Sequence, residues 1–307
     1  MLGVWRLQLL RELSRRGSVK AAAEAMSVTP SAVSQQLALL ERESGIALLE
    51  RRGRTIRLTA AGVALVRHAD TITGAIAAAE ADLAAMQDVV AGTIAIAAFP
   101  TAARTVVPSV MAALSAQHPA LRLTMRDLEA DESIAALRMD EIDVAIVDAY
   151  EDLSPAREAG LEIHEFLRDP LYLALPPGES PRRAVRLSDY RDAFWIMDTE
   201  TSQFFQVTMH ACRGSGFEPR IRSNCKDFGV IAALVEAGLG VGMLPGLALH
   251  NTTIRATICD IEPALSRSVR AVIRPERRSH PAVVSILLEL DRFGATYQPP
   301  ALAPNRT

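Results

Sequence analysis

Residues 17–62 read GSVKAAAEAMSVTPSAVSQQLALLERESGIALLERRGRTIRLTAAG, and this stretch decides the fold of the N-terminal part of the chain. Ser18 caps a short alanine-rich helix, and after a tight turn Thr29 caps the next helix, with Pro30 at its first position. Upstream, apolar residues at helical spacing predict a first helix over about residues 4–16, which Gly17 ends. The pattern therefore predicts a helix–turn–helix.

The helix that begins at Pro30 has two different faces. Val33, Leu37 and Leu40 form an apolar stripe that predicts a core contact. The opposite stripe is small and polar at its N-terminal end, the end of a recognition helix that enters the DNA major groove. The candidate DNA contacts on this helix are Pro30, Ser31, Ser34 and Gln35. The alternative is an ordinary polar helix face.

Two short β-strand patterns, over residues 48–52 and 55–58, flank Gly53 and Arg54 and predict a hairpin. Such a wing would carry arginines to the phosphate backbone of DNA. The candidate wing contacts are Arg51, Arg52, Arg54 and Arg57.

The charge of the chain is unevenly distributed. Residues 1–60 contain ten Lys or Arg and five acids, so this segment is net +5 within a chain of net charge -3. A basic end on an acidic body is typical of a DNA-binding head joined to a body that does not bind DNA. By itself the arginine cluster is also compatible with a solvated surface.

Residues 17–62 resemble the signature of the LysR-type transcriptional regulators. The shared features are the Ala-Ala pair of the second helix, Ser34-Gln35-Gln36, Leu40-Glu41 before Gly45, and LLERRGR leading into LTAAG. Many family members carry Arg where Gln35 stands, which affects the base preference at that position. The resemblance implies a sequence-specific DNA-binding regulator that responds to a small molecule, and not an enzyme.

The fold class expected from this resemblance is α/β with an all-α-type winged helix–turn–helix N-terminal domain. A long linker helix and a two-lobed, periplasmic-binding-protein-like α/β effector domain would follow. The expected bounds are residues 1–59 for the DNA-binding domain, 60–91 for the linker and 92–307 for the regulatory domain. The first lobe would comprise about residues 92–166 and 267–294, and the second about 167–266.

Thr59 caps a helical pattern that runs from Ala60 to about Val90, a length of roughly 45 Å. A helix of this length needs a partner for its apolar side. In the resembled family it pairs with a second subunit, so we expect a homodimer or homotetramer on a pseudo-palindromic double-stranded operator. RNA polymerase is a candidate further partner. The alternative is a helix packed on its own domain.

From Gly92 onward, strand and helix patterns alternate, which favours a mainly parallel sheet. Ligands of such sheets bind beyond the carboxyl ends of strands, where helices begin. In the first lobe this place is Pro100, Thr101 and Ala102, before a helix predicted from Arg104, and in the second it is Thr201 and Ser202. Tyr150 is a candidate for contact across the lobes, although a surface tyrosine fits equally well.

The Thr101 hydroxyl and nearby amides predict a site for a carboxylate, and the family resemblance implies an effector there. The alternatives are that Thr101 only caps a helix and that Thr201 and Ser202 only start one. Asp198 and Glu200 disfavour a multiply anionic effector and leave room for an amine or hydroxyls.

Other chemistry is not indicated. The histidines lack HxxxH and HExxH spacing, no GxSxG occurs, and the glycines of residues 238–242 follow a helix, so neither catalysis nor a dinucleotide site is expected. Three cysteines without CxxC spacing predict no metal site and no disulfide framework. A thiol switch is disfavoured because Thr201 and Ser202 occupy the stretch where peroxide-sensing relatives carry a reactive cysteine.

The N-terminus carries arginines within its apolar stretch and lacks a cleavage site, and no apolar run is long enough for a membrane span. We therefore expect a cytoplasmic protein with no membrane partner, no cofactor and no metal. A solute-binding protein that serves a transporter and an enzyme fused to a DNA-binding head are the rival hypotheses.

Overall fold

The structure is a computed structural model that describes residues 2–52, 55–85, 90–150, 158–178 and 184–299. The chain divides into two compact units. One is formed by residues 1–88 with 279–281, and the other by residues 89–278 with 282–307. Among the described residues, no helix is both long and apolar enough to cross a membrane.

The first unit contains four helices and a hairpin within its described residues. They are α1 (Val4–Arg16), α2 (Val19–Ala25), α3 (Pro30–Ser44), β1 (Leu49–Arg52), β2 (Thr55–Leu58) and α4 (Ala60–Ala85). Gly17 ends α1 with a φ of 71°, a conformation that favours glycine. Ser18 and Thr29 cap α2 and α3 as predicted, accepting hydrogen bonds from the amides of Ala21 and Ala32. The predicted helix–turn–helix and wing strands are therefore present.

The core of this unit is built from the apolar stripes of its helices. Val33, Leu37 and Leu40 of α3 are all buried, as their spacing predicts, and they pack with Leu9 and Leu13 of α1. Because this stripe holds one side of α3 inward, the opposite side of the helix is left at the surface.

The second unit alternates strands and helices. Its first part contains β3 (Gly92–Ala98), α5 (Pro100–Gln117), β4 (Leu121–Asp127), α6 (Ala130–Arg138), β5 (Val144–Ala149) and β6 (Glu162–Leu175). The remainder contains β7 (Ala184–Val185), β8 (Phe194–Met197), α7 (Gln203–Gly214), β9 (Arg220–Asn224), α8 (Phe228–Glu236), β10 (Gly242–Pro245), α9 (Gly246–Leu249), β11 (Thr257–Ile273) and α10 (Pro281–Thr296).

The expectation of a mainly parallel sheet is wrong. The large sheet has the strand order β10-β6-β11-β5-β3-β4, with β7 beside β11. Pairing is parallel between β5, β3 and β4 but antiparallel from β10 through β6 and β11 to β5. The apolar pattern predicts only residues 171–175 of β6 and 268–273 of β11, because charged residues interrupt the alternation of both long strands.

Of the four apolar cores in the described part of this unit, two receive buried residues from both β6 and β11. The first core, around β3, α5 and α10, includes Phe166, Leu167 and Val269. The second, around Trp195, includes Leu171 and Leu173 of β6 together with Cys259 and Ile261 of β11. We call the parts around these cores the first and second lobes. Both strands pass from one lobe to the other, so contacts at their midpoints act on both.

Gly62 of α4 is buried against the wing, and a methyl group added there would lie 2.2 Å from the carbonyl oxygen of Leu48. We expect Gly62→Ala to lower the free energy of unfolding by about 1–3 kcal/mol, since the backbone must shift to relieve the overlap. Urea unfolding of the full-length protein, followed by circular dichroism, measures this loss. Gly214→Ala, which meets no atom within 4 Å, is the control and should not destabilise; equal effects would mean that the close approach at Gly62 is unimportant for stability.

Candidate DNA-binding and effector-binding sites

The N-terminal end of α3 presents a polar surface. Pro30, Ser31, Ser34 and Gln35 are all exposed, and the first turn of the helix contains no acidic residue. The amides of a first helical turn lack intrahelical acceptors and carry a partial positive charge, so this end suits a phosphate.

The hydroxyls on this surface are held in place by local bonds. Ser34 Oγ donates to the Pro30 carbonyl oxygen at 3.0 Å, and Ser31 Oγ lies 3.0 Å from Thr29 Oγ1. Gln35 differs, because its amide has no hydrogen-bond partner within the described ranges. Its donor and acceptor are both open to an outside partner.

The wing residues are described to different extents. Arg57 lies exposed on β2, opposite Glu50 of β1. Arg51 and Arg52 belong to β1, but their side chains, like the whole of Arg54, lie outside the described residues.

Glu41 of α3 joins the recognition helix to the wing, a role that no sequence pattern predicts. Its Oε1 accepts hydrogen bonds from the amides of Leu48 and Leu49, at 2.9 and 3.0 Å. Charge-assisted bonds of this kind are among the stronger ones in proteins. The Leu40-Glu41 pair is the available signal, but only the fold places that carboxylate at the start of β1.

In the second unit, which we call the regulatory unit, α5 begins at Pro100 and not at Arg104 as predicted. Phe99 occupies the N-cap position without a side-chain cap, so Thr101 lies within the first turn and does not cap the helix. Pro100 is exposed, whereas the side chain of Ala102 is fully buried in the core of the first lobe. Ala102 can therefore offer a ligand only its backbone amide, which, like that of Thr101, lacks an intrahelical acceptor.

The Thr101 hydroxyl is buried and already has one partner. Its Oγ1 accepts a hydrogen bond from Arg267 Nη2 at 3.0 Å. A hydroxyl has one hydrogen to donate in addition to accepting. Thr101 can therefore still donate to an acceptor such as a carboxylate.

Arg267 of β11 is the centre of a buried charge network that no sequence pattern predicts. Its Nε donates to Asp169 Oδ2 at 2.9 Å, and its Nη1 to Asp148 Oδ2 at 3.1 Å. The guanidinium also lies 4.9 Å from the ring centroid of Phe99. Burial would lower the pKa of Arg267, but Asp169, Tyr150 and Asp148 outweigh it and raise the pKa, so the residue stays charged.

Asp169 of β6 links the network to two further elements. Its Oδ1 accepts from the amide of Leu247 at 2.9 Å and from the Tyr297 hydroxyl at 3.3 Å. Burial raises the pKa of Asp169, although Arg267 opposes the shift. One carboxylate therefore connects β6, α9, the residue after α10 and, through Arg267, β11.

Tyr150 lies where β5 ends, and the structure joins it to Thr101 through this network. Its hydroxyl donates to Asp148 Oδ2 at 2.9 Å, while its buried ring belongs to the core of the second lobe. The ring meets Phe204 of α7 edge to face, at a centroid distance of 6.5 Å. Burial, followed by the charge of Asp148, raises the pKa of Tyr150, so the hydroxyl keeps its proton. The surface alternative for Tyr150 is wrong.

At the start of α7, Ser202 is the N-cap and its Oγ accepts from the amide of Phe205 at 2.9 Å. Thr201 is exposed. Nearby, burial raises the pKa of Asp198, and Asp148 contributes to the same shift. Asp148 and Asp198 therefore interact electrostatically across the cleft between the lobes.

An acid–base contact also joins the two lobes. Lys226, which precedes α8 in the second lobe, lies 3.6 Å from Glu129 at the start of α6 in the first lobe. Burial raises the pKa of Glu129 and Lys226 opposes it, while Asp148 and Asp198 raise it further. Glu129 and Asp198 thus lie in a region where Lys226 is a nearby cation, while Asp148 is already paired with Arg267.

The thiols of Cys212 and Cys225 lack the lowered pKa of a reactive cysteine. Burial raises the pKa of Cys212 to about 12, with a smaller contribution from Glu218, and burial also raises that of Cys225. Cys212 and Cys259 are buried in the second-lobe core, and all three cysteines are outside any disulfide. A raised pKa lowers the thiolate fraction on which oxidation by peroxide depends.

Arg267→Met should destabilise the protein by about 3–5 kcal/mol, because Asp169 and Asp148 are then left in a buried position without their shared cation. The loss should be smaller at pH 5 than at pH 8. A carboxyl with a raised pKa binds protons in the folded state where the unfolded chain has released them, so folding weakens as pH rises through that window. Urea unfolding at both pH values measures the effect.

Arg213→Met is the matched control, since that arginine is exposed and pairs with the exposed Glu218. Its stability should stay close to that of the unsubstituted protein at both pH values. A loss for Arg267→Met no larger than this control, or one independent of pH, would contradict the assigned network.

Two family models match the chain. Residues 5–63 match the bacterial regulatory helix–turn–helix protein of the lysR family, and residues 87–292 match the LysR substrate-binding domain. The matched ranges contain all of the helix–turn–helix and both lobes up to α10.

Individual relatives agree with these models. The chain is 30% identical over 276 residues to the transcriptional dual regulator GltC of Bacillus subtilis, covering 89% of this chain and 90% of the relative. A full-length variant of OxyR from Pseudomonas aeruginosa has a TM-score of 0.73 at 20% identity, over 94% of this chain and 95% of that one. Full-length CbnR complexed with its target DNA has a TM-score of 0.54 at 22% identity, over 94% and 99%.

These matches confirm the expected fold class, a winged helix–turn–helix joined to a two-lobed α/β domain. The family consists of transcriptional regulators and not enzymes, and its members bind operator DNA and small-molecule effectors and form oligomers. The chain belongs to the LysR family and is a DNA-binding transcriptional regulator with an effector-binding domain.

Proposed function

We propose that this regulator contacts its operator with the N-terminal end of α3 and with the wing, and that its effector binds between the lobes at Thr101. The observation that carries the DNA assignment is the exposed, acid-free first turn of α3. Within this surface Gln35 is the base-reading residue, because its amide is open and can pair with the edge of adenine. Pro30, Ser31 and Ser34 set the helix against the backbone.

Arg51, Arg52, Arg54 and Arg57 provide the electrostatic part of the affinity, as phosphate contacts do in general. The effect of these arginines is independent of sequence, whereas that of Gln35 depends on it. A cytoplasmic location follows for a protein that acts on bacterial DNA.

The oligomer is proposed to form through α4. In the first unit this helix exposes Val63, Ile72, Ile76 and Leu83, apolar side chains that an isolated helix leaves in water. A second subunit that covers them would give a homodimer, or a pair of dimers, whose two-fold symmetry suits a pseudo-palindromic operator. RNA polymerase is the further partner on such a promoter.

The effector is proposed to place one acceptor group, such as a carboxylate, at the Thr101 hydroxyl and the amides of the first turn of α5. Pro100 and Ala102 line this position through their backbone, while Tyr150, Thr201 and Ser202 belong to the facing side. Glu129, Asp148 and Asp198 repel a second negative charge and accept hydrogen bonds from an amine or hydroxyl. The proposed effector is therefore a small acid that also carries donor groups.

An effector bound at Thr101 would also affect a strand that connects the lobes. Arg267 Nη2 donates to the same hydroxyl that would meet the effector, and Arg267 lies on β11. An effector that binds at Thr101 would thus alter a bond between α5 and a strand shared by both lobes.

Replacing both Arg52 and Arg54 by Ala should weaken binding to all DNA sequences alike and reduce the salt dependence of binding. Removal of one phosphate contact lowers the slope of log affinity against log salt by about 0.9, so the double variant should show a slope smaller by about two units. Fluorescence anisotropy with operator and unrelated DNA, at several salt concentrations, measures both effects.

Two comparison variants sharpen this test. Arg42→Ala removes an exposed arginine from the far end of α3 and should leave the slope unchanged. Gln35→Ala should change the ranking of operator variants while keeping the slope. An unaltered slope in the double arginine variant would exclude the wing assignment.

Thr101→Val should abolish the response to the effector while DNA binding is retained, because the hydroxyl that meets the ligand is removed, together with its hydrogen bond from Arg267. Compounds from a library of small hydroxy and amino acids that raise the melting temperature of the full-length protein should fail to do so with this variant. Thr105→Val is the matched control, since the Thr105 hydroxyl donates within α5 to the Thr101 carbonyl. If both variants respond like the unsubstituted protein, Thr101 is not an effector contact.

A further inference from the structure

A cavity of about 160 Å³ lies where α5 of the first lobe meets α8 and the segment after α9 in the second lobe. None of the predicted effector residues lines it. Its size is below that of pockets for drug-sized ligands, which begin at about 300 Å³. The cavity is therefore suited to a metabolite of only a few non-hydrogen atoms.

Arg104 supplies a cation at one wall of this cavity. Its Nη2 donates to the carbonyl oxygen of Ala248 at 3.0 Å, which leaves its other N–H groups open. Among the residues that the structure describes, Arg104 forms no ion pair, whereas Arg213 and Arg267 each pair with an acid. A guanidinium without a counter-ion at a cavity favours binding of a carboxylate.

Glu236 of α8 supplies an anion at the same cavity. Its Oε1 accepts a hydrogen bond from the amide of Arg255 at 2.5 Å, and its side chain is half-buried. Although Glu236 and Arg104 line one cavity, they do not approach within the 4.0 Å of an ion pair. The cavity lining thus includes a positive and a negative group that do not pair with each other.

The remaining lining is partly apolar and partly polar, because Thr252 and Thr253 contribute to it as well. Its apolar part is formed by Ala232 and Ala233 of α8, Leu244 of β10, Ala248 of α9 and Ile254. This apolar part favours contact with an aliphatic group over a second charged group.

We propose that this cavity binds a small aliphatic α-amino acid as a second ligand, separate from the effector at Thr101. The carboxylate meets Arg104, the ammonium meets Glu236, and the side chain covers the apolar lining. A simple carboxylic acid would leave the charge of Glu236 without a counter-ion, and a dicarboxylic acid would be repelled by it. Because α5 and α8 belong to different lobes, this ligand contacts both lobes at once.

Isothermal titration calorimetry of the full-length protein with L-leucine tests this assignment. The expected result is one site per chain. Two analogues separate the charges: 4-methylpentanoate lacks the ammonium group and 3-methylbutylamine lacks the carboxylate. Each should bind at least about tenfold more weakly, since a hydrogen bond to a charged group contributes this much or more.

Variants identify the location of the bound leucine. Arg104→Gln should weaken leucine binding at least about tenfold, and Ala233→Leu, at an exposed position of α8, should abolish it by filling the cavity. Arg213→Gln, which alters a paired surface arginine away from the cavity lining, should bind leucine normally. Glu236→Gln should remove the preference for leucine over 4-methylpentanoate.

Three results would contradict the proposed amino-acid site. Absence of leucine binding, or binding that persists in both Arg104→Gln and Ala233→Leu, would refute the site. Binding abolished in Thr101→Val but kept in Arg104→Gln would assign leucine to the cleft instead. That outcome would leave the effector site at Thr101 intact, so the two proposals can fail separately.

Discussion

The buried guanidinium of Arg267 is the interaction on which the regulatory unit depends. A charge this deep in a protein is tolerated only when its partners are present, and here Asp148, Asp169 and Thr101 provide them. These partners lie on β5, β6 and the first turn of α5, so one side chain fixes the elements at which the two lobes meet. The arrangement also explains how a hydroxyl suited to an effector is bonded to a strand that runs through both lobes.

The DNA-binding unit depends on close approach more than on charge. Gly62 lets α4 pack directly against the backbone at Leu48, and Glu41 holds the amides at the start of β1. Together they tie the wing to α3 and α4. The signature residues around them are therefore structural, while the exposed residues of α3 are left open to DNA. Residues that hold the DNA-facing surface in place are therefore distinct from the residues proposed to contact the bases.

Charge also distinguishes the two proposed ligand positions. In the cleft, Arg267 is neutralised by its own acids, and the carboxylates of Glu129, Asp148 and Asp198 influence one another. At the cavity beside α5, Arg104 and Glu236 remain separate, and each is bonded to a backbone group. The first position thus limits the negative charge of a ligand, and the second selects for a ligand with both charges.

The local elements of the head follow directly from the amino-acid sequence. Helix caps, a proline at N1 and apolar residues at helical spacing each act over only a few residues. The helix positions, the hairpin and the family signature can therefore be predicted from residues 17–62 alone. The same kind of pattern indicated Thr101 and Tyr150 as residues near a lobe boundary.

The mixed sheet, the start of α5 at Pro100, the burial of Ala102 and the network around Arg267 emerge only in the folded chain. Asp148 and Arg267 are separated by 119 residues along the sequence. A charged residue within an apolar strand indicates that a buried partner exists, but it does not identify that partner. Pairing between such distant strands is fixed by packing of the whole sheet, and for that reason no local pattern contains it.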